Sequence, residues 1–174
     1  EVDIDNYYRI NSNVGFFKEA FSYPSIKQNG REWMSLNPNE INTMKDSIDK
    51  AFGNVLVGGL GLGYYLFSVS NKEDVKSVTI VEKDHEVIQF FNKYLIDKFE
   101  YKNKIKIIES DVFDFLENNY LSNFDYAFMD IWHDTGDGLD LYLKLKRLIH
   151  IPCDFWIEKS TFSPFFLTIR KHLE

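Results

Sequence analysis

The chain has 174 residues, 44% of them hydrophobic and 27% charged, with 16 Phe and 10 Tyr, a balance that suits one globular domain with ample core material. A net charge of -7 and a pI of about 5.1 speak against a general attraction to nucleic acid or an anionic membrane, so a tRNA or DNA substrate is disfavoured though not excluded. The single cysteine, Cys153, rules out a disulfide framework or a cysteine-rich metal site and reads as a small buried hydrophobe.

No apolar run approaches a membrane span. The first residues, EVDIDNYYRI, are acidic and polar rather than signal-like, so a cytoplasmic location is expected. Residues 1–52 read as an extension and 53–174 as an α/β domain. Within the extension, Asn29-Gly30 suits a type I′ turn between two short extended pieces. A helix follows in NPNEINTMKDSIDKAFG, with Asn37 as cap, Pro38 in the first turn and Gly53 at the end. Ile41, Met44, Ile48 and Phe52 recur at helical spacing on one face.

From Asn54 onward, strands and helices alternate. NVLVG precedes a helix over 65–70. SVTIVE (77–82) precedes HEVIQFFNKYLIDKF, where Val87, Phe91, Tyr94 and the Lys98 stem line one face, flanked by Ile88 and Leu95. KIKIIESD (104–111) precedes VFDFLENNYL, and FDYAFMD (124–130) precedes GLDLYLKLKRLI. CDFWIEKS (153–160) is read as the fifth strand, ahead of a helix capped by Ser163 and begun by Pro164. Five short apolar strands alternating with helices predict a doubly wound, mostly parallel α/β sheet with a small hairpin-and-helix extension.

In such a sheet, ligands bind beyond the carboxyl ends of the strands. The first strand of the domain ends in Gly58-Gly59-Leu60-Gly61-Leu62-Gly63, where bare backbone and a helix start suit a nucleotide or a carboxylate. The dinucleotide pattern G-x-G-x-x-G/A fails, because Tyr64 or Leu66 falls at its third glycine. The phosphate-loop pattern fails too, since no Gly-Lys-Ser/Thr follows. The pattern G-x-G-x-G fits. Glu82 follows Gly59 at about the twenty-residue interval of a ribose-binding acid. Asp111 can cap the next helix, face a base, or do both. The loop DIWHDTGDGLD gathers Asp130, Trp132, His133, Asp134 and Asp137 at the same edge.

With VLVGGLGLG, VTIVEKDHEVI, IIESDVFDFL and FDYAFMD in this order, residues 54–160 resemble the class I S-adenosylmethionine-dependent methyltransferases, within them the spermidine-synthase-like branch. The resemblance implies a Rossmann-like methyltransferase fold that here lacks the last one or two strands. It implies S-adenosyl-L-methionine as cofactor, with S-adenosylhomocysteine as product. Gly59, Leu60, Gly61, Gly63, Glu82, Lys83, Asp111 and Val112 are the implied cofactor residues. Asp130 and His133 are the catalytic candidates, each able to serve as a base for an acceptor that loses a proton. Trp132, Asp134 and Tyr64 are candidates for touching substrate, as are Trp33 and Glu40 from the extension. A divalent ion on Asp130, His133 and Asp134 would need ligands from other loops, and no metal is expected.

Three departures bear on activity. Val57 stands where many methyltransferases carry an acid before the first glycine. Gly61 stands where aminopropyltransferases carry an Asp in GGGDGG, and their Asp-x-x-Asp becomes Asp130-x-x-x-Asp134. The expectation is methyl transfer to an unidentified, small-molecule acceptor. Aminopropyl transfer and a non-catalytic nucleotide-binding or scaffolding module stay open beside it. An uncovered fifth strand would favour a homodimer.

Overall fold

The computed structural model describes residues 25–28, 31–132 and 138–159. The turn Asn29-Gly30, residues His133, Asp134 and Asp137, and the helix expected after Ser163 lie outside the described residues, and the side chain of Trp33 does too.

Two short strands, β1 (Ser25–Gln28) and β2 (Arg31–Ser35), pair antiparallel, with Gln28 opposite Arg31. Helix α1 (Pro38–Lys50) follows, and the Asn37 side chain accepts the Glu40 N–H at 3.0 Å, as a cap should. The helix stops at Lys50 rather than at Gly53, which already begins the next strand. Lys72 supplies the physical reason. Its ammonium donates to the carbonyls of Ile48, Asp49 and Ala51 at 2.9, 2.8 and 2.6 Å, gathering acceptors at and just beyond the helix end. Phe52 consequently lies beyond the helix and is 46% exposed, not on its buried face.

The main sheet is built from β3 (Gly53–Gly58), β4 (Val75–Glu82), β5 (Ile105–Glu109), β6 (Tyr126–Met129) and β7 (Cys153–Phe155). Its order is β5-β4-β3-β6-β7 and every pair is parallel. Side chains alternate between the two faces, as a pleated strand requires. Val55, Val57, Tyr126 and Phe128 join one buried cluster, whereas Leu56, Ala127 and Met129 join the other.

The first cluster is covered by α1, α2 (Tyr64–Ser70) and α3 (His85–Tyr94). The second is covered by α4 (Val112–Asn118), α5 (Gly138–Leu148) and α6 (Trp156–Lys159). Helices on both faces make the domain a doubly wound Rossmann-like α/β fold.

Two further readings need correction. Ile88 and Phe91 carry the buried face of α3, but the helix ends at Tyr94, whose side chain is 51% exposed, and Ile96–Lys98 continue as a 3-10 turn. The fifth strand is also shorter than its apolar sequence suggests. After Phe155 the chain turns helical, and this places Trp156 against α1, where its indole N–H donates to the Thr43 hydroxyl at 3.1 Å. No described helix is long and apolar enough to cross a membrane.

Candidate functional site

The strand order reverses between β3 and β6, so their connections leave in opposite directions and open a crevice at the carboxyl edge. A cavity of about 380 Å³ occupies this place, within the size range of small-molecule sites. Its walls come from the glycine loop 59–63, the ends of β4, β5 and β6, the start of α1, and Trp156.

The glycine loop owes its composition first to the protein's own packing. Gly59 has φ 93°, and a Cβ there would sit 2.1 Å from the Asp130 carbonyl oxygen. Gly63 has φ 79°, and a Cβ would meet the Phe91 ring at 2.8 Å. These close approaches draw the loop down between β6 and α3. Backbone bonds beyond the strands hold it there, from Gly59 N–H to the Val81 carbonyl at 2.9 Å and from Asp130 N–H to the Gly58 carbonyl at 2.8 Å.

Glu82, at the end of β4, is only 9% exposed. One carboxylate oxygen accepts the Leu60 N–H at 2.9 Å and the other accepts the Asp84 N–H at 2.8 Å. The carboxylate thus ties the glycine loop, through the Leu60 amide, to the start of α3. Each oxygen retains a further lone pair for a ribose hydroxyl. Asp111, after β5, accepts the Phe113 N–H at 2.8 Å and so caps α4. Its side of the cavity, with Val112 and Phe113, remains available to a planar group.

Asp130 follows β6 and lines the cavity. Burial, and then the nearby charge of Glu40, push its carboxyl up to about 8. Glu40 reaches this point from the first turn of α1. Trp132 is 8% exposed, and its indole N–H is buried with no hydrogen-bond partner among the described residues. Lys83 is exposed at the rim, and Tyr64 forms part of the wall beside Gly63.

The cavity therefore brings together Gly59, Leu60, Gly61, Gly63, Tyr64, Glu82, Lys83, Asp111, Val112, Asp130 and Trp132, with Glu40 from the extension. Met44, Leu36 and Trp156 also line it, and the sequence reading missed them. Met44 looked like a helix face packed on the core. Trp156 was hidden by the assumption that its strand continued. The Glu82 carboxylate, with a lone pair left on each oxygen at the cavity wall, fits the ribose of an adenosyl compound.

The family model for the spermine/spermidine synthase domain matches residues 39–145. No curated protein matches the sequence significantly. Among solved structures, spermidine synthase from Thermotoga maritima is 22% identical, with a TM-score of 0.40, over 48% of this chain and 29% of that one. A dimethyladenosine transferase from Plasmodium falciparum is 17% identical, with a TM-score of 0.48, over 77% and 50%. A Pyrococcus horikoshii protein provisionally assigned as a transferase is 15% identical, with a TM-score of 0.50, over 75% and 49%. The chain thus spans less than a third of the Thermotoga enzyme and half or less of the other two, and the last likeness agrees with the fold described above.

Proposed function

The chain belongs to the spermine/spermidine synthase domain family, and on that premise we propose that it is a transferase that binds S-adenosylmethionine and passes its methyl group to a small-molecule acceptor. The observation that carries this reading is Glu82. It stands at the end of β4, buried, beneath the glycine loop and inside the cavity, with lone pairs left for a ribose diol.

The donor brings a methyl group already activated by its positive sulfur. What remains for the protein is to position both partners and keep water out. Glu82 would hold the ribose, and the slot beside Asp111 and Val112 the adenine. Met44, Leu36 and Trp156 add apolar lining to the cavity. Asp130, near 8, holds a proton at neutral pH. A positive group arriving beside it returns it to the carboxylate form, able to accept a proton from an amine or hydroxyl acceptor. From the sequence, His133 is proposed as a catalytic residue and Asp134 as one that touches the acceptor.

A second reading is aminopropyl transfer from decarboxylated S-adenosylmethionine. The carboxylates of Asp130 and Glu40 favour it, because they suit an amine. Gly61, in place of the donor-anchoring Asp, opposes it. Calorimetric titration with both donors separates the two. Tighter binding of S-adenosylmethionine is expected, and preference for the decarboxylated form would reverse the assignment.

A further inference from the structure

The cavity is charged almost entirely in one sense. Among its described lining residues, Glu40 on α1, Glu82 at the end of β4, Asp84 and Asp111 before α3 and α4, and Asp130 after β6 are acidic, and the one basic side chain is Lys83 at the rim. From α2, α5 and α6 come Tyr64, Tyr65, Leu141 and Trp156, none of them charged at neutral pH. Three of the acids have backbone donors. Glu82 accepts from Leu60 and Asp84, Asp84 from Glu86 and Val87, and Asp111 from Phe113. Asp130 differs: no described residue donates to its carboxyl, and the charge that acts on it is that of Glu40.

Asp130 also stands close to the ribose holder. Glu82 and Asp130 are fixed against neighbouring residues of the glycine loop. Glu82 accepts the Leu60 N–H, and the Asp130 carbonyl abuts Gly59, where a Cβ would come within 2.1 Å of its oxygen. In an adenosyl donor only one carbon separates the ribose ring from the sulfur. A positive sulfur beside the ribose therefore acts through space on Asp130, and in a poorly solvated site such a charge makes a carboxyl about tenfold or more stronger as an acid. Asp130, near 8, has a proton to lose at neutral pH.

We propose that Asp130 and Glu40 form a charge-sensing pair that reads the sulfur of the bound donor: binding of the sulfonium expels a proton from Asp130 to solvent, and loss of that charge on transfer lets Asp130 take one up again. This inference rests on the adenosyl reading of the pocket. The bookkeeping closes on the reaction itself. The methyl leaves sulfur with the positive charge, the acceptor sheds a proton, and Asp130 is the carboxylate that receives it. Donor and product are thus told apart by charge, and the donor gains on the product as the pH rises toward 8.

The test is calorimetric titration of wild type with S-adenosylmethionine and with S-adenosylhomocysteine, which share the adenosine and the amino-acid tail and differ by the methyl and its charge. Because the sulfonium selects the carboxylate form, the ratio of the two affinities should shift about tenfold toward S-adenosylmethionine between about pH 6.5 and 8. In buffers of different ionisation heat near pH 7, S-adenosylmethionine should release about one proton more than S-adenosylhomocysteine. Asp130→Asn cannot titrate, so its affinity ratio should stay level across the same range. A level ratio or equal proton release in wild type would overturn the inference while leaving the adenosyl pocket standing, and so would a ratio that still shifts in Asp130→Asn. Failure of both ligands to bind folded wild type would overturn the pocket assignment, and the inference with it.

Discussion

Gly59 and Asp130 meet backbone to backbone, and each has a consequence that can be measured. At Gly59 a side chain is excluded twice, by a φ of 93° and by the Asp130 carbonyl 2.1 Å from where a Cβ would stand. Gly59→Ala is therefore expected to cost more than about 2 kcal/mol in urea unfolding; a loss below about 0.5 kcal/mol would show that the loop relaxes freely. At Asp130 the folded state raises the carboxyl from 3.8 to about 8. The folded protein thus keeps a proton that the unfolded chain releases, and stability falls as pH rises between about 4 and 8, at most by about 1.4 kcal/mol per pH unit. Asp130→Asn removes this dependence, so its stability relative to wild type should climb from pH 5 to pH 8, and parallel curves would refute the assignment. The glycine spacing and Glu82 were legible because they are local patterns in the sequence. The protonation of Asp130 was not, since it depends on burial and on Glu40, a residue in a different element.

The element that most changes the picture is α1. It is docked on the edge of the sheet by polar contacts as well as by apolar ones. Ser47, fully buried, donates to Asp154 at 3.1 Å, Lys50 pairs with Asp154 at 2.9 Å, and Trp156 donates to Thr43. Burial by itself would raise the Asp154 carboxyl, but its bonds from Lys50 and Ser47 hold it below the usual carboxylate range. That contribution is present at neutral pH and fades as the pH falls through the lowered value. Asp154→Ala should destabilise the fold by about 1–3 kcal/mol. Because Glu40 and Met44 ride on α1, it should also weaken binding of an adenosyl ligand although Asp154 does not line the cavity. Unchanged affinity would show that α1 holds its place without this contact. The helix itself was legible from its cap and its apolar period. Its role as a wall of the cavity was not, because the contacts that place it join residues more than a hundred positions apart, and because Trp156 turns helical after a strand of only three residues.

At the scale of the whole molecule, the alternation of apolar strands and helices carried the doubly wound sheet, and right-handed crossovers left little freedom in its order. What the pattern could not supply was the depth of the crevice between β3 and β6, which depends on how the extension closes over it. The central claim is that this crevice holds an adenosyl group through Glu82. The most direct measurement is isothermal titration of S-adenosylhomocysteine into wild type and Glu82→Gln, with the melting temperature of each protein recorded alongside. Glu82→Gln keeps the shape but loses one of the two oxygen acceptors. One ligand per wild-type chain is expected, with affinity at least about tenfold weaker in the variant. Absence of binding to a folded wild type, or equal affinity in a folded Glu82→Gln, would contradict the claim.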